Sequence, residues 1–387
     1  MTENEKRVVT LLSQRGPLSK KDISKQGKMS WATVVKIVAR FEQEGIVHAV
    51  GVGEQPETTG KNPLVYELTG KTPFAIGIDV SYSVTHILLT NLKHEVVGYQ
   101  QYNTPAHPDP LQLQEFILSS YRHFLDHVFF EQAALVGIGI GLPRSLIGDG
   151  GGDFSTLAGG LERQLHIPVR IEEGTARNYT MYKKWIGDVF PLNDFILMTI
   201  RNGIGAGIFY QGSLVRGAHG MAGELGHFTV VEEGLTCRCG KQGCLETLVN
   251  QDILYRQYLE RIRHEEGQTI HEMSDSPQVH EGLNELFSLA SQQHPEALAI
   301  LREAAKYIGM GIALLLMAFD IPHIIMAGNF GNNGDVIIPY IQQETDKRII
   351  SEITYSIHYD PLEKLGFAYG AALLILKDYL TAYSPGL

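Results

Sequence analysis

Apolar residues recur every three or four positions in three short stretches near the N-terminus, which predicts three amphipathic helices. The second begins after Ser19, a residue type that caps helices, and ends at Gly27. The third begins after Ser30 and ends at Gly45. Its apolar face consists of Val34, Ile37, Val38 and Phe41. Two helices joined by a short turn that contains Gly predict a helix-turn-helix.

Two short strands follow these helices. The stretches "GIVHAVG" and "LVYELTG" have strand-like composition, and the loop "VGEQPETTGKNP" between them is polar and rich in Gly and Pro. A loop of this kind after the third helix is typical of a wing. Residues 1–70 are therefore predicted to form a winged helix-turn-helix domain. The alternative is a three-helix module that binds another protein.

The surface of the third helix opposite its apolar face carries the side chains expected to meet DNA. A helix in this position enters the major groove, and the wing reaches a phosphate or the minor groove. The predicted DNA contacts are Ser30, Trp31, Thr33, Lys36 and Arg40 on the helix, with Lys61 in the wing.

The rest of the chain shows one pattern twice. Residues 74–103 alternate strand-like runs with tight turns and predict three antiparallel strands, followed by a helix over 108–129 and buried strands over 134–143 and 167–174. The strand and turn pattern starts again at 193–227. Two such halves predict a duplicated, two-lobed α/β fold with a cleft between the lobes.

The domain boundaries follow from this repetition. We expect a first lobe over residues 72–190 and a second lobe over 191–369. A C-terminal helix over about residues 370–387 is expected to pack back on the first lobe, because its start is rich in small residues.

The most apolar stretch, residues 307–328, is interrupted by Asp320, Pro322 and His323. It predicts a buried helix followed by a buried strand and not a membrane span. A hydrophobic content of 44%, a mean hydropathy of -0.05 and only three cysteines are typical of a soluble globular protein without a disulfide framework. The first residues do not resemble a signal peptide, so we expect a cytoplasmic protein with no membrane contact.

Charge separates the N-terminal region from the rest. Residues 1–71 carry 11 Lys and Arg against 8 Asp and Glu, a net charge of +3, within a chain of net charge -11. The remaining residues therefore have a net charge of -14. A mildly basic head on an acidic body agrees with a DNA-binding domain attached to a domain with another task.

All three cysteines lie within eight positions. Cys237, Cys239 and Cys244 are accompanied by Gly240 and Gly243, which allow a tight turn, and His227 precedes them. Three thiolates and one imidazole make a four-ligand zinc set, and a site closed in this way has no place for a catalytic water. We expect structural Zn²⁺ bound by His227, Cys237, Cys239 and Cys244. The alternative is three free structural thiols.

Four stretches together resemble the ROK family, which groups bacterial sugar kinases with sugar-responsive repressors. They are "GIDVS" at 77–81, the Gly-rich segment 203–227, "CRCGKQGCLE" at 237–246 and "GFAYGAA" at 366–372. The resemblance implies the two-lobed actin-like ATPase fold. It is closest to the repressor branch, which carries an N-terminal winged helix-turn-helix.

The resemblance also implies a sugar site. In the family, two glutamates at the positions of Glu224 and Glu246 lie at the sugar hydroxyls together with the zinc-bound histidine, here His227. An Asn-Asp pair of the family also holds the sugar, and Glu173 stands at the Asn position. The alternative for Glu224 and Glu246 is that they are ordinary surface carboxylates or carboxylates that support the metal ligands.

Several kinase features of the family are altered. Gly174 stands where the kinases carry the catalytic Asp, and Tyr82 stands in a first phosphate turn that usually contains Gly after Asp79. Arg201 precedes the second phosphate turn, and Asn329 replaces a later Gly. A glycine cannot accept the proton of the attacking hydroxyl, and losing such a base typically costs about 10²–10⁴-fold in rate. We therefore expect no enzymatic activity.

These observations predict a DNA-binding transcriptional repressor whose ROK body senses a sugar or sugar derivative. Its partners would be double-stranded operator DNA, a small-molecule effector and other copies of the chain in a homodimer or homotetramer. One alternative is a ROK sugar kinase with an added DNA-binding head. The other is a regulator controlled by a protein partner.

Overall fold

The computed structural model describes residues 2–52, 63–70, 73–106, 108–130, 134–143, 146, 154–187, 189, 191–265 and 276–382. Lys61, the predicted wing contact, lies outside these residues.

The N-terminal head contains three helices and a small antiparallel sheet. The helices are α1 Glu3–Arg15, α2 Lys20–Gly27 and α3 Trp31–Gln43, and the strands are β1 Leu18–Ser19, β2 Val47–Val52 and β3 Leu64–Leu68, in the order β1-β3-β2. The Ser19 side chain caps α2, and the Ser30 side chain accepts a hydrogen bond from the Thr33 amide at the start of α3. The predicted apolar face of α3 is buried. The predicted winged helix-turn-helix fold is therefore confirmed.

The first of two five-stranded sheets follows the head. Its strands are β4 Phe74–Val80, β5 Val84–Asn91, β6 Val96–Asn103, β7 Leu135–Leu142 and β8 Val169–Glu173, in the order β6-β5-β4-β7-β8. The first three strands are antiparallel, while β7 and β8 run parallel to β4. Helices α4 Pro110–Leu125 and α5 Phe154–Leu165 accompany this sheet, whereas α6 Thr175–Trp185, which follows β8, packs against the second sheet.

The second sheet repeats this arrangement. Its strands are β9 Phe195–Ile200, β10 Ile204–Tyr210, β11 Ser213–Leu214, β12 His323–Gly328 and β13 Ser356–Pro361, in the order β11-β10-β9-β12-β13. Again the first three strands are antiparallel, and the last two run parallel to β9. The duplicated two-lobed architecture expected from the sequence is confirmed.

The helices of the second half are α7 Gln251–Tyr258, α8 Pro277–Ser291, α9 Pro295–Phe319 and α10 Ile338–Asp346. The most apolar stretch of the chain forms the end of α9 and the strand β12, both in the core. Among the described residues, no helix combines the length and apolar character needed to cross a membrane.

The C-terminal helix α11, Gly366–Ala382, lies directly on the first sheet. A Cβ on Gly77 of β4 would lie 1.8 Å from the Ala368 carbonyl oxygen, and a Cβ on Gly139 of β7 would lie 1.8 Å from the Ala371 carbonyl oxygen. Only glycine permits this approach of helix backbone to sheet. The helix begins at Gly366, earlier than the expected start at about residue 370.

The head is docked on the body through apolar side chains. Val9 and Leu12 of α1 belong to the same core cluster as Leu92 of the first sheet and Leu373 and Leu376 of α11. Burial of such a cluster is the main term that stabilises a contact between two parts of a chain. The middle of α11 therefore shares a core with the head, while its first turns lie on the sheet.

Candidate metal centre and ligand-binding cleft

The four predicted metal ligands converge. Ligand atoms of His227, Cys237, Cys239 and Cys244 all lie within 4.8 Å of one another. The Sγ atoms of Cys239 and Cys244 are 3.6 Å apart, and His227 Nδ1 lies 3.5 Å from Cys237 Sγ. Sulfurs bound to tetrahedral zinc at about 2.3 Å are about 3.8 Å apart, so the donor set and its spacing fit a four-coordinate zinc ion.

The backbone of the cysteine loop depends on two glycines in left-handed conformations. Gly240 has a φ of 85° and Gly243 a φ of 67°. A Cβ on Gly243 would lie 1.6 Å from the carbonyl oxygen of Val231. The tight turn expected from these glycines is thus present, and it brings the three sulfurs to one side of the loop.

The thiols differ in how readily they ionise. Burial raises the pKa of Cys237, and the neighbouring Glu246 carboxylate adds to the rise. Burial acts in the same direction on Cys239, but hydrogen bonds from the Lys241 backbone and from the other two thiols lower its pKa below the ordinary value. Because metal ligation requires thiolates, a bound cation would supply the charge that stabilises all three.

Two carboxylates flank the His227 imidazole. Glu246, which is 6% exposed, places Oε1 3.6 Å from His227 Nδ1 and 3.1 Å from Cys237 Sγ. On the other side, Glu224 Oε2 lies 3.9 Å from His227 Nε2, and the Glu224 side chain is 29% exposed. The three side chains that the resemblance places at a sugar are therefore together, and they are adjacent to the metal ligands.

Glu173, the fourth predicted sugar contact, ends strand β8 and is partly buried. Gly174 follows it as the N-cap residue of helix α6. A Cβ on Gly174 would lie 3.0 Å from Glu224 Oε1, so this segment reaches the carboxylate of Glu224.

The turns that hold phosphate in kinases of the family are joined here by an ion pair between the two sheets. Arg201, directly after β9, places Nη1 3.4 Å from Oδ2 of Asp79 in β4, a residue only 1% exposed. The Arg201 guanidinium also lies over the ring of Phe367, with its carbon 4.3 Å from the ring centroid.

A second arginine connects the metal loop to both turns. Arg238 lies between Cys237 and Cys239, and its Nη2 donates to the Asn202 carbonyl oxygen at 2.8 Å. Its guanidinium carbon is 4.6 Å from the centroid of the Tyr82 ring, and its Nε is 3.3 Å from Glu246 Oε1. Sequence reasoning missed this residue, although its place between two metal ligands was a signal.

Asn329, another departure from the kinase pattern, belongs to a polar network. Its Nδ2 lies 3.3 Å from Gln251 Oε1 and 3.1 Å from His280 Nε2. Gln251 in turn donates to the side chain of Asn202. Asn329, which stands where the resemblance places a glycine in the kinases, thus hydrogen-bonds other side chains of the chain.

The side chains predicted to contact DNA differ in their exposure and in their contacts within the head. Trp31 is 56% exposed and Lys36 is exposed, whereas the Ser30 and Thr33 hydroxyls are 2.7 Å apart at the start of α3. Arg40 is turned toward α1, where its Nη1 lies 2.8 Å from Glu5 Oε1. The geometry leaves the exposed end of α3 available and engages Arg40 within the head.

Comparison with known proteins agrees with this geometry. The model of the ROK family matches residues 75–377, which is most of the chain. The chain belongs to the ROK family. The model of the MarR family matches residues 1–49, which include the three helices of the head.

A repressor and a transcriptional dual regulator are similar to this ROK protein over most of their length. The xylose repressor of Bacillus subtilis (strain 168) is 23% identical over 388 residues, which cover 97% of this chain and 96% of the relative. The DNA-binding transcriptional dual regulator NagC of Escherichia coli (strain K12) is 24% identical, with coverage of 88% and 83%. A glucokinase of Halalkalibacterium halodurans is 27% identical over 279 residues, which cover 69% of this chain and 84% of the relative.

Solved structures show the same ROK fold. A ROK family transcriptional regulator described as a homologue of the Escherichia coli Mlc protein superposes with a TM-score of 0.71 at 21% identity, covering 97% of this chain and 96% of that one. A ROK glucokinase from Streptomyces griseus in complex with glucose and AMPPNP gives a TM-score of 0.62 at 23% identity, covering 79% and 99%. The regulator therefore matches the head and body together.

Proposed function

We propose that this ROK protein is a DNA-binding transcriptional repressor whose body binds a sugar without phosphorylating it. The winged head, its match to the MarR family and the full-length similarity to a xylose repressor support the DNA-binding role. The clustered Glu224, His227 and Glu246 support a polyhydroxylated ligand, because carboxylates accept hydrogen bonds from adjacent hydroxyls.

The metal has a structural role in this proposal. His227, Cys237, Cys239 and Cys244 would supply four ligands to a zinc ion, and a four-ligand site of this kind would leave no position for a reacting water. Ligation by His227 and the cysteines would fix the loop that carries Arg238 and hold the imidazole between Glu224 and Glu246. The sugar then contacts these carboxylates, with Glu173 at the neighbouring strand end.

The main support for the absence of phosphoryl transfer is the ion pair between Arg201 and Asp79. Kinases need an open, phosphate-cradling turn and a metal ion at this place. Here a guanidinium from one phosphate turn lies 3.4 Å from the buried carboxylate of the other. Gly174 also supplies no base for an attacking hydroxyl.

The head contacts DNA through the exposed end of α3 in the major groove. Trp31, Thr33 and Lys36 face the duplex, and Ser30 fixes the first turn of the helix. Lys61 of the wing contacts the backbone or the minor groove. A homodimer or homotetramer would present two heads to a pseudo-palindromic operator.

Helix α11 links the cleft to the head. Its first turn places Phe367 beside the Arg201 guanidinium, and Leu373 and Leu376 belong to the same core cluster as the head residue Val9. A sugar that favours one arrangement of the lobes would therefore change how the head is held. Such a change requires that the sugar bind one arrangement more tightly than the other.

A gel-shift experiment tests the repressor function. The zinc-loaded chain is mixed with DNA from upstream of its own coding region, with and without D-xylose, D-glucose or N-acetyl-D-glucosamine. We expect a shift that one of the sugars reverses, and we expect Lys36→Glu to abolish it while Lys306→Glu, an equal charge change on α9, leaves it intact. Failure to shift any upstream fragment would contradict the proposal.

The similarity to a glucokinase makes a kinase with a DNA-binding head the second candidate. Coupled ATP turnover with the same three sugars separates the two, because the proposal expects no turnover above a protein-free blank.

A thermal-shift experiment with the same sugars tests the alternative that a protein partner, and not a sugar, controls the chain. A sugar at 100 times its dissociation constant stabilises the chain by about 2.7 kcal/mol, whereas a chain controlled only by a partner protein would not respond.

A further inference from the structure

One stripe of α3 faces directly away from the core of the head. The buried side of the helix consists of Val34, Ile37, Val38 and Phe41. Successive residues of a helix are rotated by about 100°, so the positions opposite this side are 32, 36, 39 and 43. They hold Ala32, Lys36, Ala39 and Gln43, and all four are exposed. Gln43 is the last residue of α3, whereas a helix-turn-helix places the N-terminal part of this helix against base edges. We call Ala32, Lys36 and Ala39 the outer line of α3.

The outer line has few groups that can hydrogen-bond to a base. Ala32 and Ala39 end in methyl groups, and Lys36 lies between them as the charged donor. Arg40, the other basic residue of α3, is turned toward α1, because its Nη1 lies 2.8 Å from Glu5 Oε1. Base edges in front of the outer line would therefore meet two methyl groups and one ammonium group.

The two methyl groups select against most base edges. An alanine in close contact displaces water from the groove and supplies no hydrogen bond, so the donors and acceptors of G, A and C at that place lose their partners. The C5 methyl of thymine is the apolar group that the major groove displays, and alanine contacts it favourably. The ammonium group of a lysine has donors only, which suits the O6 and N7 acceptors of guanine.

We propose that α3 reads thymine methyl groups with Ala32 and Ala39 and one guanine with Lys36. This inference rests on the proposed DNA-binding function, and it names the bases that specify the operator half-site. The three residues are four and three positions apart, or about 6 Å and about 4.5 Å along the helix. Because base pairs are about 3.4 Å apart, each thymine lies within about two base pairs of the guanine, on either strand.

A scan with base analogues tests this assignment. The zinc-loaded chain is bound to an upstream fragment that it shifts, and a footprint defines the protected half-sites. Each protected thymine is replaced by deoxyuridine, which lacks only the C5 methyl, and each protected guanine by 7-deazaguanine, which lacks the N7 acceptor. Every analogue is placed at the same position of both half-sites.

Dissociation constants are measured for the wild-type chain and for Ala32→Ser, Ala39→Ser and Lys36→Met. All three residues are exposed, so these changes leave the core of the head intact. Ala318→Ser, at an exposed alanine of α9 in the body, is the matched control.

For the wild-type chain, we expect deoxyuridine at a contacted thymine to weaken binding by about tenfold, since one buried methyl group is worth about fourfold in each half-site. The analogue of the contacted guanine should weaken binding by about fivefold or more. Ala32→Ser and Ala39→Ser should each reduce the loss at a different thymine to about threefold or less. Lys36→Met should remove the loss at the guanine alone, measured at reduced salt, where phosphate contacts keep the affinity measurable. Ala318→Ser should keep the wild-type pattern.

An affinity within about twofold of the unmodified fragment at every thymine position would overturn the proposal. So would thymine losses that persist in both alanine variants, or a guanine loss that persists in Lys36→Met. If no upstream fragment is shifted, the DNA-binding function itself fails, which is distinct from a fragment that is bound without dependence on thymine methyl groups.

Discussion

Breaking the pair between Arg201 and Asp79 gives the clearest prediction about the cleft. Arg201→Met removes the guanidinium that lies over Phe367 and faces Asp79 but keeps an unbranched side chain, and Asp79→Asn is nearly isosteric. At 3.4 Å the two charges attract by about 5 kcal/mol at an effective dielectric constant of about 20. Removing one partner of a buried pair typically costs about 3–5 kcal/mol, because the other charge stays buried.

We therefore expect each single variant to lose free energy of unfolding, with Arg201→Met losing about 3–5 kcal/mol because Asp79 is the more deeply buried partner. The double variant should lose less than the sum of the single losses by about 2 kcal/mol or more. Equilibrium urea unfolding of the four proteins measures this coupling. Additive losses within about 0.5 kcal/mol would refute the pairing, since that is the behaviour of independent sites.

Three further predictions concern the metal loop, the C-terminal helix and the docking of the head. Gly243→Ala should abolish zinc retention, because its Cβ would lie 1.6 Å from a backbone carbonyl oxygen. Gly240→Ala should retain more zinc, because a Cβ at that position has no atom within 4 Å. Metal analysis of the two purified variants measures the difference. Gly77→Ala should lower the free energy of unfolding, measured with urea, by at least about 3 kcal/mol, because its Cβ would lie 1.8 Å from the backbone of α11. Gly51→Ala should lower it much less, because a Cβ on Gly51 has no atom within 4 Å. His94, which follows β5, is hydrogen-bonded to Ser13 of α1 in the head. Burial lowers the pKa of His94 from 6.5 to about 4, so the unfolded chain binds a proton that the folded chain excludes. Stability should fall by up to about 1.4 kcal/mol per pH unit as the pH drops between those values, and the melting temperature of His94→Asn should lose this dependence.

Much of the fold could be predicted because its signals are local in the sequence. The apolar spacing of α3 and its cap at Ser30 depend on residues within a few turns of one another. The metal ligands also lie within one short segment, so the sequence alone predicts that they cluster. The repeated strand pattern predicted two similar sheets, since each strand carries its own alternation and turns.

The contacts of single arginines could not be predicted in this way. Arg201 and Asp79 are separated by 122 positions, and only the meeting of the two sheets brings them together. Arg40 was expected to face DNA from its position on α3, but its neighbour across the head is Glu5, which helical spacing on α3 alone does not reveal. Arg177 carried no sequence signal, because its burial depends on Glu172 and on the Ala222 carbonyl of a distant loop.

The central claim is that sugar binding in the body and DNA binding in the head are coupled in one chain. The most direct test is the dissociation constant of the effective sugar, measured with and without saturating upstream DNA. Because coupling is reciprocal, DNA should weaken sugar binding by the same factor by which the sugar weakens DNA binding. An identical dissociation constant for the sugar in the presence and absence of bound DNA would contradict the account.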